Sequence, residues 1–201
     1  GPVSGWLSDR YGAKYFSTGG MILGALSFGA LMLLPANFNF WTFAVLLFIM
    51  GVGSGLFAAP NTTAIMNSVP ARERGQASGM RATFMNAGQV LSIGVFFTLM
   101  IFGLSRALPS AMSSALAANG VPPAVASEVS NTPPVASLFA AFLGYNPMEQ
   151  LVPSSTLAAL PPSQAAAITG KEFFPELISK PFMDGLTIAF TFSLIAYLIA
   201  A

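Results

Sequence analysis

The sequence contains no cysteine and no histidine, and only 7% of its 201 residues are charged. Each shortage excludes a class of function. Without thiols or imidazoles there is no cysteine nucleophile, no Ser-His-Asp relay and no ordinary zinc site. No metal and no cofactor is expected, and no disulfide can staple a segment outside the cytoplasm. A soluble domain is about 25% charged, so this chain cannot give a globule a wettable surface. The lipid bilayer is its expected partner. The formal net charge is +1 with no basic run, which removes any argument for nucleic acid. No basic region followed by a short apolar stretch and a cleavage site opens the chain, so no signal peptide is read. The absence of an initiator Met and the start in mid-pattern predict a fragment, natural or truncated; Gly1-Pro2 reads as a protease scar or as native sequence.

What is present is apolar: 54% of the residues are hydrophobic and the mean hydropathy is +0.70. A hydrocarbon core of about 30 Å needs roughly 20 helical residues. The uncharged runs 15–34 and 41–66 meet this, as does 79–104, whose single charge is Arg81. Residues 185–201 form a fourth apolar run that stops at the last residue without a polar flank, and 1–7 resemble the tail of a fifth. The expected fold is therefore an all-α membrane bundle of three complete spans and two truncated ones. Residues 1–104 carry the spans and two short cytoplasmic loops, 105–183 form a long outer loop, and 184–201 start the final span. Orientation follows from Lys and Arg, which collect in cytoplasmic loops. Arg10 and Lys14 flank one side of the first full span, and Arg72, Glu73 and Arg74, with Arg81 just inside the next helix, mark the other cytoplasmic loop. Asn61-Thr62-Thr63 matches a glycosylation sequon but falls inside a span.

The 105–183 segment is rich in Ala, Ser and Pro. In TPPVASLFAAFLGYNP, Thr132 is the expected N-cap, Pro133 a first-turn residue and Gly144 the stop. Leu138, Phe139, Phe142 and Leu143 fall on one face, which must then be covered. Two readings stay open: a cap or lid on a pathway, or a connector whose apolar helix rests on the membrane interface.

Inside the spans, small residues let helices approach, and two seams are expected: Gly20, Gly24 and Ser27, and Gly51, Gly55, Ala58 or Ala59, and Thr62. Pro60 removes a backbone donor from the second span. Asn61 shares a face with Ser54 and Ala58; Asn86 shares one with Gly79 and Thr83, and Gln89 stands one turn beyond. Amides in a bilayer are costly, so Asn61, Asn86 and Gln89 either bond a neighbouring helix or line a wet pathway. No carboxylate lies within a complete span, which leaves a membrane-embedded enzyme without chemistry. Asp184, at the outer edge of the last run, is an N-cap or the titratable group of a proton-coupled machine.

The scarce charges gather in GWLSDRYGAK. Gly1, Gly5 and Asp9, spaced four apart, share a helix face, yet Asp9 sits at a helix C-terminus, where the macrodipole disfavours an anion. It needs a partner. Gly5-x-x-x-Asp9-Arg10-x-Gly12-x-Lys14 resembles the cytoplasmic signature loop of the major facilitator superfamily in its C-terminal half, with Ala13 where a basic residue is common. The stretch GVGSGLFAAPNTTAIMNSVPARERGQASGMRATFMNAG is similar to the fourteen-helix drug:proton antiporter branch. The resemblance implies a secondary transporter of the prokaryotic inner membrane, working by alternating access between two six-helix bundles, the N-terminal one being absent here. It further implies export of small, amphipathic or drug-like molecules coupled to protons, with Gly5, Asp9, Arg10, Gly12 and Lys14 as a gate latch. Export of a lipid, metabolite or siderophore, and a non-transporting membrane scaffold, remain open.

Overall fold

Apolar runs of this length have one way to satisfy their backbone in lipid without an exposed sheet edge, which is to coil as helices. The computed structural model describes residues 2–201; Gly1 and the side chains of residues 2, 3 and 9 lie outside the described residues. Its elements are α1 (Pro2–Tyr11), α2 (Ala13–Met32), α3 (Phe40–Asn67), a 3-10 turn (Ala71–Glu73), α4 (Arg74–Ala118), the short helices α5 (Pro123–Ser130), α6 (Pro134–Phe142), α7 (Met148–Leu151), α8 (Ser154–Ala159) and α9 (Pro162–Thr169), and α10 (Phe173–Ala200). Among the described residues four helices, α2, α3, α4 and α10, are long and apolar enough to cross a membrane.

The fourth of these extends ahead of the apolar run read from residue 184. α10 is a 28-residue helix that starts at Phe173. Pro175 falls in its first turn, where a backbone donor has no partner to lose, and Pro181, Lys180 and Asp184 interrupt the apolar run without interrupting the helix. Asp184 therefore stands in the helix interior, exposed, and is not an N-cap. α4 likewise runs past residue 104, through Pro109, for 45 residues in all. At 1.5 Å per residue that is about 68 Å, against a hydrocarbon core of about 30 Å.

The chain divides into two compact units. The first comprises residues up to Phe97 together with Ala189–Ala201. Here α2 packs along α3 with backbone against backbone: a Cβ on Gly20 would lie 2.5 Å from the Gly53 carbonyl oxygen and 2.8 Å from the Phe57 nitrogen. The seam on α2 is the expected one, with Gly20, Gly24 and Ser27 buried. On α3 it runs through Gly53; Gly51 faces open space. Residues two apart on a helix point about 200° apart, so Gly53 lies on the face opposite Gly51 and Gly55. Gly24 also receives the Tyr197 ring. Phe28 stacks at tilted angles on Phe190 and Tyr197, with ring centroids 5.7 and 5.5 Å apart. Hydroxyls inside the helices bond back to their own turns, as Ser27 does to Leu23 and Thr83 to Gly79, which satisfies those donors within the helix.

The second unit, Thr98–Ile188, has its own core. Leu104, Leu108, Met112 and Leu116 recur every fourth residue of α4 and are fully buried, as are Met148, Ile168 and Phe174. Each short helix from α5 to α9 follows directly on a proline: Pro122, Pro133, Pro147, Pro153 and Pro161. Proline presets φ for a first turn. Glycine sets the stops of α4 and α6: Gly120 and Gly144 have φ of +80° and +64°. The Val121 and Tyr145 amides reach back to Leu116 and Ala140 carbonyls at 3.1 and 2.9 Å, the Schellman pattern. Gly144 thus ends α6 as the sequence predicts. Thr132 does not begin it: its hydroxyl donates to the Val129 carbonyl at 2.6 Å, and the cap position is Pro133. Of the expected apolar face only Leu138 is buried, while Phe139, Phe142 and Leu143 are exposed.

Candidate functional site

The charged loop is built by one glycine. α1 ends at Tyr11 and α2 begins at Ala13; Gly12, with φ +95°, makes the reversal that an L side chain resists, and its amide donates to the Ser8 carbonyl at 2.8 Å. Arg10 and Lys14 are exposed, and the Arg10 guanidinium lies 5.8 Å from the Tyr11 ring centre. Asp9 belongs to the last turn of α1, and its side chain lies outside the described residues. Gly5 has open space where its Cβ would be. The contact between α1 and α3 is instead made by serine, Ser4 Oγ donating to the Gly55 carbonyl at 2.9 Å. Ser8 is buried, with its hydroxyl on the Gly5 carbonyl at 2.8 Å.

A second polar cluster joins α3 to α4. The Arg81 guanidinium donates to Thr62 Oγ1 at 2.7 Å, and that hydroxyl donates onward to the Ala58 carbonyl at 2.6 Å. Arg81 is half-buried, so its charge is spread over a hydroxyl already polarised by the backbone. In the intervening loop Arg72 pairs with its neighbour Glu73 at 3.2 Å, with 84% and 46% of those side chains exposed; such a pair adds little to stability. Arg74 is exposed at the start of α4. Asn61 is half-buried on α3, and Asn86 and Gln89 are exposed on α4. The structure does not join these three amides to one another: the Asn61 side chain sits on one helix and the other two on the next. No group of three or more metal-ligating side chains occurs among the described residues. Ser4, Ser8 and Gly53 carry contacts that the sequence pattern did not single out, and Thr62, expected only as a seam residue, bonds Arg81.

The family model of the Major Facilitator Superfamily matches residues 1–201. The chain belongs to the major facilitator superfamily. It is thus part of an integral membrane protein from a family of transporters, not of enzymes. Among curated proteins of this superfamily, it is similar to the riboflavin transporter RibZ of Clostridioides difficile, 33% identical over 95 residues that are 47% of this chain and 21% of RibZ. It is 30% identical over 116 residues, 57% of this chain, to the methyl viologen resistance protein SmvA of Salmonella typhimurium, of which that is 23%. A triacylglyceride transporter of Mycobacteroides abscessus is 28% identical over 101 residues, 45% of this chain and 20% of the transporter. The matches thus span about a fifth of each relative's length. No solved structure matches the chain.

Proposed function

We propose that this chain is part of an exporter of small amphipathic or drug-like molecules that works by alternating access and is driven by protons, in a prokaryotic inner membrane. The observation that carries the reading is the α1–α2 reversal: a Gly-built turn that holds Asp9, Arg10 and Lys14 at the end of apolar helices. Loops 8–14 and 67–78, with their Arg and Lys residues, are its cytoplasmic side. Register supports the latch. Ser4 meets Gly55, and α1 and α3 run the same way, so Asp9 stands about five residues, or roughly 7.5 Å, further along. That is the level of Pro60 and Asn61, beside the Thr62 that anchors Arg81. Asn86 and Gln89, exposed amides on an apolar helix, are the pathway-lining pair; Asp184 is the candidate titratable group among the described residues.

The likeness to SmvA, a methyl viologen resistance protein, favours a planar organic cation as cargo. RibZ and the triacylglyceride transporter favour a second reading, export of a metabolite or lipid. Full-length protein in proteoliposomes with an imposed pH gradient separates them. Drug export predicts that methyl viologen dissipates the gradient, and that Asn86→Leu and Gln89→Leu change which cations do so. A gradient unaffected by cations but discharged by riboflavin or a glyceride would transfer the assignment to the second reading. No response to any of them in folded protein would favour a non-transporting scaffold.

A further inference from the structure

Tryptophan and tyrosine are few in this chain, two and four residues, and in the first unit they are not scattered. Trp6, Tyr11, Tyr15 and Trp41 are all exposed, by 63, 59, 77 and 74%. Helix register fixes how far apart they stand. A Cβ on Gly20 would lie between the Gly53 carbonyl and the Phe57 nitrogen, and one on Gly53 between the Gly20 carbonyl and the Gly24 nitrogen. Tyr15, five residues before Gly20 on the antiparallel α2, is thus level with Pro60 of α3. Ser4 meets Gly55 and α1 runs parallel to α3, which puts Trp6 level with Phe57 and Tyr11 with Thr62. These three rings fall within roughly 7.5 Å along the axis. At the opposite end Phe40 and Trp41 open α3. From residue 41 to residue 60 the axis rises about 28 Å.

Between the two levels the exposed side chains are of another kind: Ile22, Leu26, Val45 and Phe48. No Trp or Tyr of α2 or α3 lies there. Tyr197 of α10 does, and its ring is packed on Gly24. Trp6 stands two residues from each of the buried Ser4 and Ser8, so it points to the opposite side of α1. A bilayer imposes this pattern. Amphipathic rings collect at its two water boundaries, and a hydrocarbon core of about 30 Å separates them. Charge agrees at the α1–α2 end, where Arg10 and Lys14 are exposed beside the rings and the Arg10 guanidinium lies 5.8 Å from the Tyr11 ring centre. Lipid phosphates are the complementary charge. The 33–39 connection has no charged residue, so anchoring there falls to Phe40 and Trp41.

We infer that Trp6, Tyr11 and Tyr15 on one side, and Phe40 and Trp41 on the other, seat α1–α3 in the two headgroup layers of a phospholipid bilayer. The belts match a hydrocarbon core of about 28 Å, the axial rise between them. The inference rests on membership of the membrane family and on neither orientation nor cargo, so failure of the proposed function leaves it intact.

The test uses full-length protein without cysteine, in phosphatidylcholine vesicles, with single nitroxides on Tyr15→Cys, Leu26→Cys and Trp41→Cys. All three positions are exposed, so the fold does not depend on them. Relaxation by oxygen over that by a water-soluble nickel chelate should peak at Leu26 and fall several-fold at both other probes. Across phosphatidylcholines of increasing tail length, the thermal midpoint should be highest near a core of about 28 Å. The double substitution Tyr15→Leu and Trp41→Leu, which keeps the helices apolar, should flatten that optimum. A Leu26 probe shielded from both reagents would overturn the inference, since protein and not lipid would cover this face. So would a Leu26 probe open to nickel, a Tyr15 or Trp41 probe as deep as Leu26, or an optimum untouched by the double substitution.

Discussion

At the residue scale the decisive positions are those where backbone meets backbone. A side chain at Gly20 would collide with the Gly53 carbonyl and the Phe57 nitrogen, atoms that cannot swing aside. Gly20→Ala is expected to cost about 1–3 kcal/mol, as overpacking does, and to lower the thermal midpoint in detergent. Gly51→Ala meets nothing within 4 Å and is expected to leave it unchanged or raise it slightly, since Gly inside a helix costs about 0.5–1 kcal/mol relative to Ala. Equal losses in the two variants would place the seam elsewhere. Asp9→Asn tests the latch. Removing a charge-assisted contact of about 1–3 kcal/mol shifts the equilibrium roughly 5- to 150-fold toward the cytoplasm-open form. Transport should fall while substrate affinity from the cytoplasmic side is kept. Lost affinity with unaltered cytoplasmic accessibility of a cavity probe would make Asp9 a binding residue.

Helices show where sequence patterns inform and where they mislead. The apolar runs located α2 and α3 closely, because lipid demands uninterrupted hydrophobicity and nothing competes with that signal. The same criterion cut α4 and α10 short. Arg106, Pro109, Lys180, Pro181 and Asp184 end a hydrocarbon run, yet none of them ends a helix packed on a neighbour. The row Leu104, Leu108, Met112, Leu116 repeats at four-residue spacing, a pattern that a search for uninterrupted apolar runs passes over, and its burial outweighs one internal proline. Leu108→Ala should cost about 2–5 kcal/mol and loosen the second unit first. Amide exchange across residues 98–188 is the measurement, and protection unaltered there would mean that the row is not its core. The polar sites were less legible for a different reason. The Arg81–Thr62 bond joins residues nineteen apart in sequence on separate helices, and no local period reports such a pair. On α3, glycines at 51, 53 and 55 offer both faces equally, and only the approach of α2 selects one.

For the whole molecule, charge distribution predicts topology. The chain has no cysteine, so single probes read cleanly against this part of the protein. Cysteines placed at Ala13 and Ala71 are expected to react with an impermeant maleimide from the cytoplasmic side, and those at Ala36 and Ala118 from the opposite side. Reaction of Ala13→Cys from outside would invert the orientation and move the latch to the other gate.

The α2–α3 contact also bears on how the protein is made. Its two helices are joined by the short 33–39 connection and meet through Gly20 and Gly53, whose fit requires no long side chain to find a rotamer. Such a hairpin has low contact order and closes quickly. Both helices have left the ribosome well before α10 is synthesised, and Tyr197 reaches Gly24 only then. The order of synthesis therefore lets the hairpin close before the last helix exists to dock on it.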